Sequence, residues 1–218
     1  MKASHRRTFL LVPVSLALLL AVIFMTAMPQ GRALAQQFLS LFFQTAPDVR
    51  PLDPTAGPVV ITPAADIQEA EDLTKWKVFK PSWLPEGFEF HDINYHQERE
   101  FVVQTYVYKK TIGMQAAYFY LMQRKAPFTE LWPIGESAQV ETVQIGDVIG
   151  EYVIGAWGGT EDHQEWENNP AIQHLRWQAN GYYFDLQFNI MGVAVEDMPD
   201  HPYYLSKDQL IAIANSIK

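Results

Sequence analysis

The sequence predicts an α+β fold, a curved antiparallel sheet with a packed C-terminal helix, preceded by one N-terminal transmembrane helix. Three observations predict it: an uncharged apolar run near the N-terminus, a series of segments rich in Val, Tyr, Phe and Thr between residues 88 and 190, and an amphipathic pattern at the C-terminus. These patterns are typical of a membrane span, of strands and of a helix that covers one face of a sheet.

The first element is the membrane span. No charged residue stands between Arg7 and Arg32, and residues 8–28 form enough helix to cross the roughly 30 Å hydrocarbon layer of a bilayer. Basic residues come just before this run, and such residues favour the cytoplasmic side. We therefore expect a single-pass protein of the cell membrane, with residues 1–7 in the cytoplasm, a transmembrane helix over 8–30 and the remainder outside.

A cleaved secretory signal is the alternative for the same segment. A basic start, an apolar run and Ala33-Leu34-Ala35 before Gln36 follow the order of such a signal. The apolar run exceeds the roughly 7–15 residues of a signal core, and Arg32 lies inside the would-be cleavage motif, which favours the anchor. Both alternatives place the C-terminal domain outside the cytoplasm, and the sequence leaves cleavage open.

A linker is predicted between the span and the domain. Residues 31–64 form a juxtamembrane segment and a proline-rich spacer, because no periodicity accompanies the prolines Pro47, Pro51, Pro54, Pro58 and Pro63. The folded extracytoplasmic domain is predicted over 65–218.

Composition excludes several classes of function. The chain has no cysteine, which rules out a thiol nucleophile, a cysteine-ligated zinc and the lipid-modified cysteine of a lipoprotein. From Asp66 onward there are 23 acidic against 11 basic residues, a net charge of -12. Because nucleic-acid binding depends on positive charge, we expect no nucleic-acid partner.

The domain is predicted to begin with a short helix and a meander. Asp66 caps a helix that ends at Leu73, with Glu69 three residues on from the cap. Pro85-Glu86-Gly87 then supplies the fixed φ and the permissive glycine of a tight turn. Three strands follow in an antiparallel arrangement, over residues 88–95, 100–108 and 114–122.

Two further strands and a hairpin complete the predicted sheet. The strands cover 140–143 and 148–156, separated by a turn at Ile145-Gly146-Asp147. Asn180-Gly181 offers the two positive-φ residues of a type I′ turn, which fixes the register of the hairpin around it. Counting outward gives an apolar face with Ala179–Tyr182, Trp177–Phe184 and Leu175–Leu186 pairs, and a second face with Gln178–Tyr183 and Arg176–Asp185 pairs.

The last element is a helix. Ser206 as cap and Gln209 three residues later form a capping box. Apolar residues recur at helical spacing on one face and are expected to pack on the apolar side of the sheet: Leu210, Ile213, Ala214 and Ile217.

Four segments carry a resemblance to a known family. The run PSWLPEGFEF, the hairpin with Trp177 before Asn180-Gly181-Tyr182, the segment IGEYVIGAW and the final LSKDQLIAIANSI together resemble an uncharacterised family of bacterial extracytoplasmic domains. That family often forms the outer part of membrane anti-sigma factors, so the resemblance implies a role in envelope signalling. The chain departs from that pattern because the seven residues before the span contain no zinc-finger-like domain.

No motif in the chain predicts catalysis, a cofactor or a metal. The histidines lack the close helical spacing of zinc enzymes: His5, His91, His96, His163, His174 and His201. Residues 160–169 are acidic but lack the order of a calcium loop, so a solvated acidic loop is expected there. Ser137 lacks the second glycine of a nucleophile elbow, and no phosphate-binding loop occurs. We predict no catalytic, cofactor-binding or metal-binding residue.

Binding is the predicted mode of action. Six aromatic residues, Tyr106, Tyr108, Tyr118, Tyr120, Trp177 and Tyr183, either line a concave ligand-holding sheet or serve ordinary packing. We expect a membrane-anchored extracytoplasmic sensing or protein-interaction domain, of the kind used in anti-sigma-type signalling, that is not an enzyme. The alternative is an envelope carrier of lipid or another hydrophobic ligand in a half-barrel. The expected partners are the membrane, through the N-terminal helix, and an envelope protein or hydrophobic ligand.

Overall fold

An antiparallel sheet of eight strands forms the centre of the domain. The computed structural model describes residues 44–50, 60–110, 115–126, 133–160 and 163–218, all of which belong to the unit Leu41–Lys218. The predicted cytoplasmic tail and transmembrane helix, residues 1–30, lie outside these residues. In the part that is described, no helix combines the length and apolar character that a membrane crossing requires.

The described elements follow one another along the chain as strands with two short α-helices. They are β1 (Thr45–Ala46), β2 (Val49–Arg50), β3 (Ile61–Ala64), α1 (Ile67–Thr74), β4 (Phe88–His96), β5 (Phe101–Tyr108), β6 (Ala116–Lys125), β7 (Ile134–Gly135), β8 (Glu141–Ile145), β9 (Val148–Ile154), β10 (Ala156–Thr160), β11 (His163–Glu167), β12 (Ile172–Ala179), β13 (Tyr182–Met191) and α2 (Lys207–Asn215). Short 3₁₀ turns lie at Gln97–Arg99 and Val195–Asp200.

The strands in the described ranges form three sheets. The main sheet is curved and open, with the order β3-β4-β5-β6-β13-β12-β9-β8 and antiparallel neighbours throughout. A three-stranded sheet has the order β10-β11-β2, and β1 pairs with β7 in parallel. The predicted curved antiparallel sheet with a C-terminal helix is therefore confirmed.

The meander and its entry turn are as predicted. Asp66 caps α1 by accepting a hydrogen bond from the Glu69 amide at 2.9 Å. The Phe88 amide bonds to the Pro85 carbonyl at 3.1 Å and Gly87 has a φ of 88°, which closes the turn into β4. Strands β4, β5 and β6 then pair in sequence order.

The hairpin of β12 and β13 has the predicted register. All five predicted cross-strand pairs occur, from Ala179 with Tyr182 to Leu175 with Leu186. Asn180 and Gly181 have φ values of 55° and 79°, as a type I′ turn requires. The tight turn permits only this register, which explains why two residues sufficed to predict a whole strand pair.

One face of the main sheet carries the principal core. Trp177 stacks on Phe184 with 5.1 Å between the ring centroids, and Leu210 and Ile213 of α2 are fully buried in the same cluster. The predicted capping box at the start of α2 is present, formed between Ser206 and the residue three positions later. We call this side of the sheet the core face.

Some residues before position 65, which the sequence assigns to the linker, take part in the described sheets. Strand β3 lies within the predicted linker and pairs with β4 at the edge of the main sheet, and residues 44–50 pair with β7 and β11. Pro63 is compatible with β3 because an edge strand has one side without ladder hydrogen bonds. Short edge strands carry no periodicity, which is why the sequence pattern resembles a linker.

Candidate functional site

The face of the main sheet that points away from α2 carries the candidate site, and we call it the second face. Because side chains alternate along a strand, the neighbours of the buried core residues Phe119 and Leu121 point to this side. The pairings of β4, β5, β6, β13 and β12 place one row of polar residues across it: Asp92, Thr105, Tyr120, Gln187 and His174. Five consecutive strands thus contribute one polar side chain each.

Two tyrosines give this row an aromatic surface. Tyr118 and Tyr120 are both partly exposed, and their rings lie 5.1 Å apart at an interplanar angle of 56°. Burial, followed by the neighbouring Tyr118 and Asp92, raises the pKa of Tyr120 above its ordinary value. The phenol therefore stays neutral at physiological pH, and the electron-rich ring faces can attract a cation.

Asp92 supplies a negative charge at the end of the row. Its side chain is 45% exposed, and its Oδ1 accepts a hydrogen bond from Asn94 Nδ2 at 3.0 Å. His91 Nε2 lies 3.7 Å from Oδ2. Within the described ranges no lysine or arginine forms a salt bridge with Asp92. The carboxylate is thus available to an incoming positive charge.

A buried ion pair lies beside the polar row. Arg176 Nε donates to Asp185 Oδ2 at 2.7 Å, and both side chains are nearly inaccessible. Glu151, also buried, lies opposite Arg176 on β9, and His174 Nδ1 is 3.9 Å from Asp185 Oδ1. Burial alone would raise the pKa of Asp185, but Arg176 and His174 lower it below its ordinary value. The carboxylate is therefore held ionised inside the protein.

The second face of the hairpin is thus more enclosed than its alternating pattern indicates. The predicted pairing of Arg176 with Asp185 is correct, yet the exposed fractions of these residues are only 2% and 5%. A buried pair of this kind offers little surface to a ligand and instead joins β12 to β13 by a charged hydrogen bond. The pair contacts the polar row through His174.

The six aromatic residues considered from the sequence do not form one surface. Tyr106, Tyr108 and Trp177 belong to the core face, where Tyr106 stacks on Phe119 with 4.6 Å between centroids. Tyr118, Tyr120 and Tyr183 lie on the second face. The two groups follow from the alternation of side chains along each strand. Separating them from the sequence requires the register of β5 against β6, and no turn signal fixes that register.

The acidic segment at 160–169 is a correction to the sequence prediction. Residues His163–Glu167 form β11 and pair with β10, where the predicted structure was a solvated loop. Trp157 and Trp166 lie opposite each other with 5.5 Å between ring centroids. This aromatic cross-strand pair contributes apolar contact that outweighs the polar composition around it.

His91, His96 and His174 lie in different environments. His96 stacks on Phe101 with 4.3 Å between centroids, and burial together with Arg99 lowers its pKa. His174 contacts the buried pair, whereas His91 is exposed beside Asp92. Across the ranges that the structure describes, no three His, Asp or Glu side chains come together as a metal ion would need.

Asp92, Thr105 and Gln187 were not singled out by sequence reasoning. Each is a common surface residue type with no motif around it, and the row appears only when four strand registers are combined. A bulge between Phe90 and Asp92 also shifts the pairing of β4, which a count along the strand cannot foresee.

Comparison with known proteins gives one family. The model of the family "Domain of unknown function (DUF4367)" matches residues 78–192, which include every strand from β4 to β13. No curated protein and no solved structure shows significant similarity to the chain. The matched segment covers more than half of the sequence and contains both the hairpin and the polar row of the second face, so the chain belongs to the DUF4367 family.

Proposed function

We propose that this chain is a membrane-anchored extracytoplasmic domain that acts by binding, and that its second face recognises a cationic segment of an envelope protein. The observation that carries the proposal is the juxtaposition of Tyr118 and Tyr120 with Asp92. Two aromatic rings next to a carboxylate form a site for a lysine, an arginine or another organic cation.

The distribution of burial supports this use of the second face. On the core face, Phe119, Leu121 and Phe188 have no exposed surface and belong to the cluster that includes α2. Tyr118 and Tyr120 are not part of that cluster and are only partly buried. Aromatic residues at a partly exposed position are typical of binding sites, because they contribute contact area at a small loss of conformational entropy.

Charge complementarity supports a basic partner. The net charge of -12 from Asp66 onward produces a field that attracts positively charged segments and repels acidic ones. A cation over a tyrosine ring contributes about 0.5–2 kcal/mol, and an exposed carboxylate adds about 0.2–1 kcal/mol. The sum is enough for selectivity within a larger interface.

The proposed membrane anchor and the proposed role in signalling are supported by the sequence. The apolar run of residues 8–28 supports a membrane anchor, and the resemblance to domains of anti-sigma factors supports a place in envelope signalling. A lipid carrier would need an open apolar surface on the core face. Phe119 and Leu121 on that face have no exposed surface, which favours a protein partner over a lipid.

The test is a titration of the full chain in detergent micelles with a fluorescent decalysine peptide, followed by anisotropy. We expect Tyr120→Ala to raise the Kd by a factor of roughly 2–30, in line with the loss of a cation–π contact. Tyr120→Phe keeps the ring and is expected to keep the affinity. Asp92→Asn is expected to raise the Kd about 2–5-fold.

Asp208→Asn is the matched control, because it also removes one negative charge but lies in α2. We expect Asp208→Asn to change the Kd only as much as the loss of one negative charge from the whole chain does, and less than Asp92→Asn. Equal affinity in wild type and Tyr120→Ala, or equal binding of a decaglutamate peptide, would contradict the proposal. Stoichiometric lipid in the purified chain would support the carrier alternative.

A further inference from the structure

The segment of residues 44–50 is held by the domain as an added strand. Thr45 and Ala46 pair in parallel with β7, and Val49 and Arg50 pair with Glu165 and Gln164 of β11. The Ile134 amide donates to the Gln44 carbonyl at 2.7 Å, and the Trp166 amide donates to the Asp48 carbonyl at 2.9 Å. Backbone pairing of this kind is how many domains recognise extended peptides.

One side chain adds selectivity to the backbone pairing. Asp48 Oδ1 accepts a hydrogen bond from the Ser137 amide at 2.8 Å. Gly135 makes room for this carboxylate, since a Cβ at that position would collide with Asp48 Oδ1 and with Trp166. The site therefore requires a small residue on the domain and a short acceptor side chain on the segment.

The part of the domain that pairs with residues 44–50 is well packed. Ile134, Ala138, Val153 and Trp166 form a buried cluster of their own, and Trp157 Nε1 donates to the Pro133 carbonyl at 2.9 Å. The segment itself contributes only two-residue strands, and Asp48 is half-buried. Short pairings with few backbone hydrogen bonds are typical of a part that opens locally while the remainder stays folded.

We propose that the surface formed by β7, the Ser137 amide and β11 is a binding site for an extended segment with an aspartate, and that residues 44–50 occupy it as an exchangeable ligand. A free peptide with the same sequence replaces the segment when the contacts of the segment with β7, Ser137 and β11 are weakened. The proposal concerns the small sheets and is independent of the cation site on the second face.

The first test is hydrogen exchange of the full chain in micelles, read at the amides of Ile134, Ser137 and Trp166. We expect Asp48→Ala to accelerate exchange at these amides at least tenfold, and Asp48→Asn, which keeps an acceptor oxygen, to preserve most of the protection. Asp147→Ala, in the exposed turn after β8, is the control and should change none of them. Unchanged exchange in Asp48→Ala would overturn the docking role of this carboxylate.

The second test adds a fluorescent peptide of the sequence QTAPDVR. We expect it to bind the Asp48→Ala chain at least tenfold more tightly than the wild-type chain, because the tethered segment competes at a high effective concentration. Adding Gly135→Ala to Asp48→Ala should abolish the binding while near-ultraviolet circular dichroism of the main core is retained. A folded Asp48→Ala chain that does not bind the peptide, or that binds equally after Gly135→Ala, would overturn the proposal.

Discussion

Arg176 and Asp185 show what a single pair contributes when it is removed from water. Their charges are 2.7 Å apart and nearly inaccessible, so each compensates the desolvation of the other. We expect Arg176→Leu to lower the free energy of unfolding by about 3–5 kcal/mol, since it leaves a buried carboxylate without its cation. Urea unfolding measures this loss.

The double variant provides the control for that prediction. Arg176→Leu with Asp185→Leu removes both charges, and we expect it to be more stable than Arg176→Leu alone. A double variant that is less stable than the single one would show that the two residues act through separate contacts.

The same pair makes stability depend on pH in the acidic range. The pKa of Asp185 is lower in the folded chain than its ordinary value of 3.8, so the unfolded chain binds the proton more readily. Its contribution is therefore present above pH 3.8 and is lost as the pH falls through the lower folded pKa. Urea unfolding between pH 2 and 6 should show a steeper decline for wild type than for Asp185→Asn, and parallel curves would contradict this.

At the scale of elements, α2 depends on the apolar face that it buries. Leu210 has no exposed surface and lies in the same cluster as Trp177 and Phe184. We expect Leu210→Ala to lower the free energy of unfolding by about 2–5 kcal/mol, from lost burial and the cavity that remains. Gln209→Ala, at a partly exposed position of the same helix, should cost about 1 kcal/mol through the capping box. Similar losses for both would contradict the assigned packing.

The elements also differ in how far the sequence predicts them. Asn180-Gly181 fixes a register and Ser206 with Gln209 marks a helix start, so the hairpin and α2 were predicted from local signals. The pairing of residues 44–50 with β7 and β11 joins segments far apart in sequence through strands of two residues. No periodicity exists at that length, and such contacts cannot be predicted from one sequence.

The candidate site was predicted from the sequence only in part. Tyr118 and Tyr120 were singled out as aromatic residues, but their separation from Tyr106 and Trp177 depends on which face each strand residue takes. Asp92 joins them only through a bulged strand two positions away in the sheet. An aromatic surface could therefore be predicted from the sequence. Which residues form it could be known only from the registers of the paired strands.

At the scale of the whole molecule, the predicted topology can be tested directly because the chain has no cysteine. We expect a cysteine at Asp147, in an exposed turn, to react with a membrane-impermeant maleimide in intact cells, and a cysteine at Ser4 to react only after permeabilisation. The labelled chain should keep its full length. Labelling of both positions from outside would contradict the topology, and a shortened chain would indicate signal cleavage.

Nuclear magnetic resonance is the most direct way to locate binding of a cationic segment on the second face. The full chain, labelled with ¹⁵N and ¹³C in micelles, would be titrated with decalysine and the shifts followed residue by residue. We expect the largest changes at Asp92, Thr105, Tyr118 and Tyr120, with α2 unaffected. Shifts confined to other acidic surfaces, or no shift at these four residues at saturating peptide, would contradict binding at the second face.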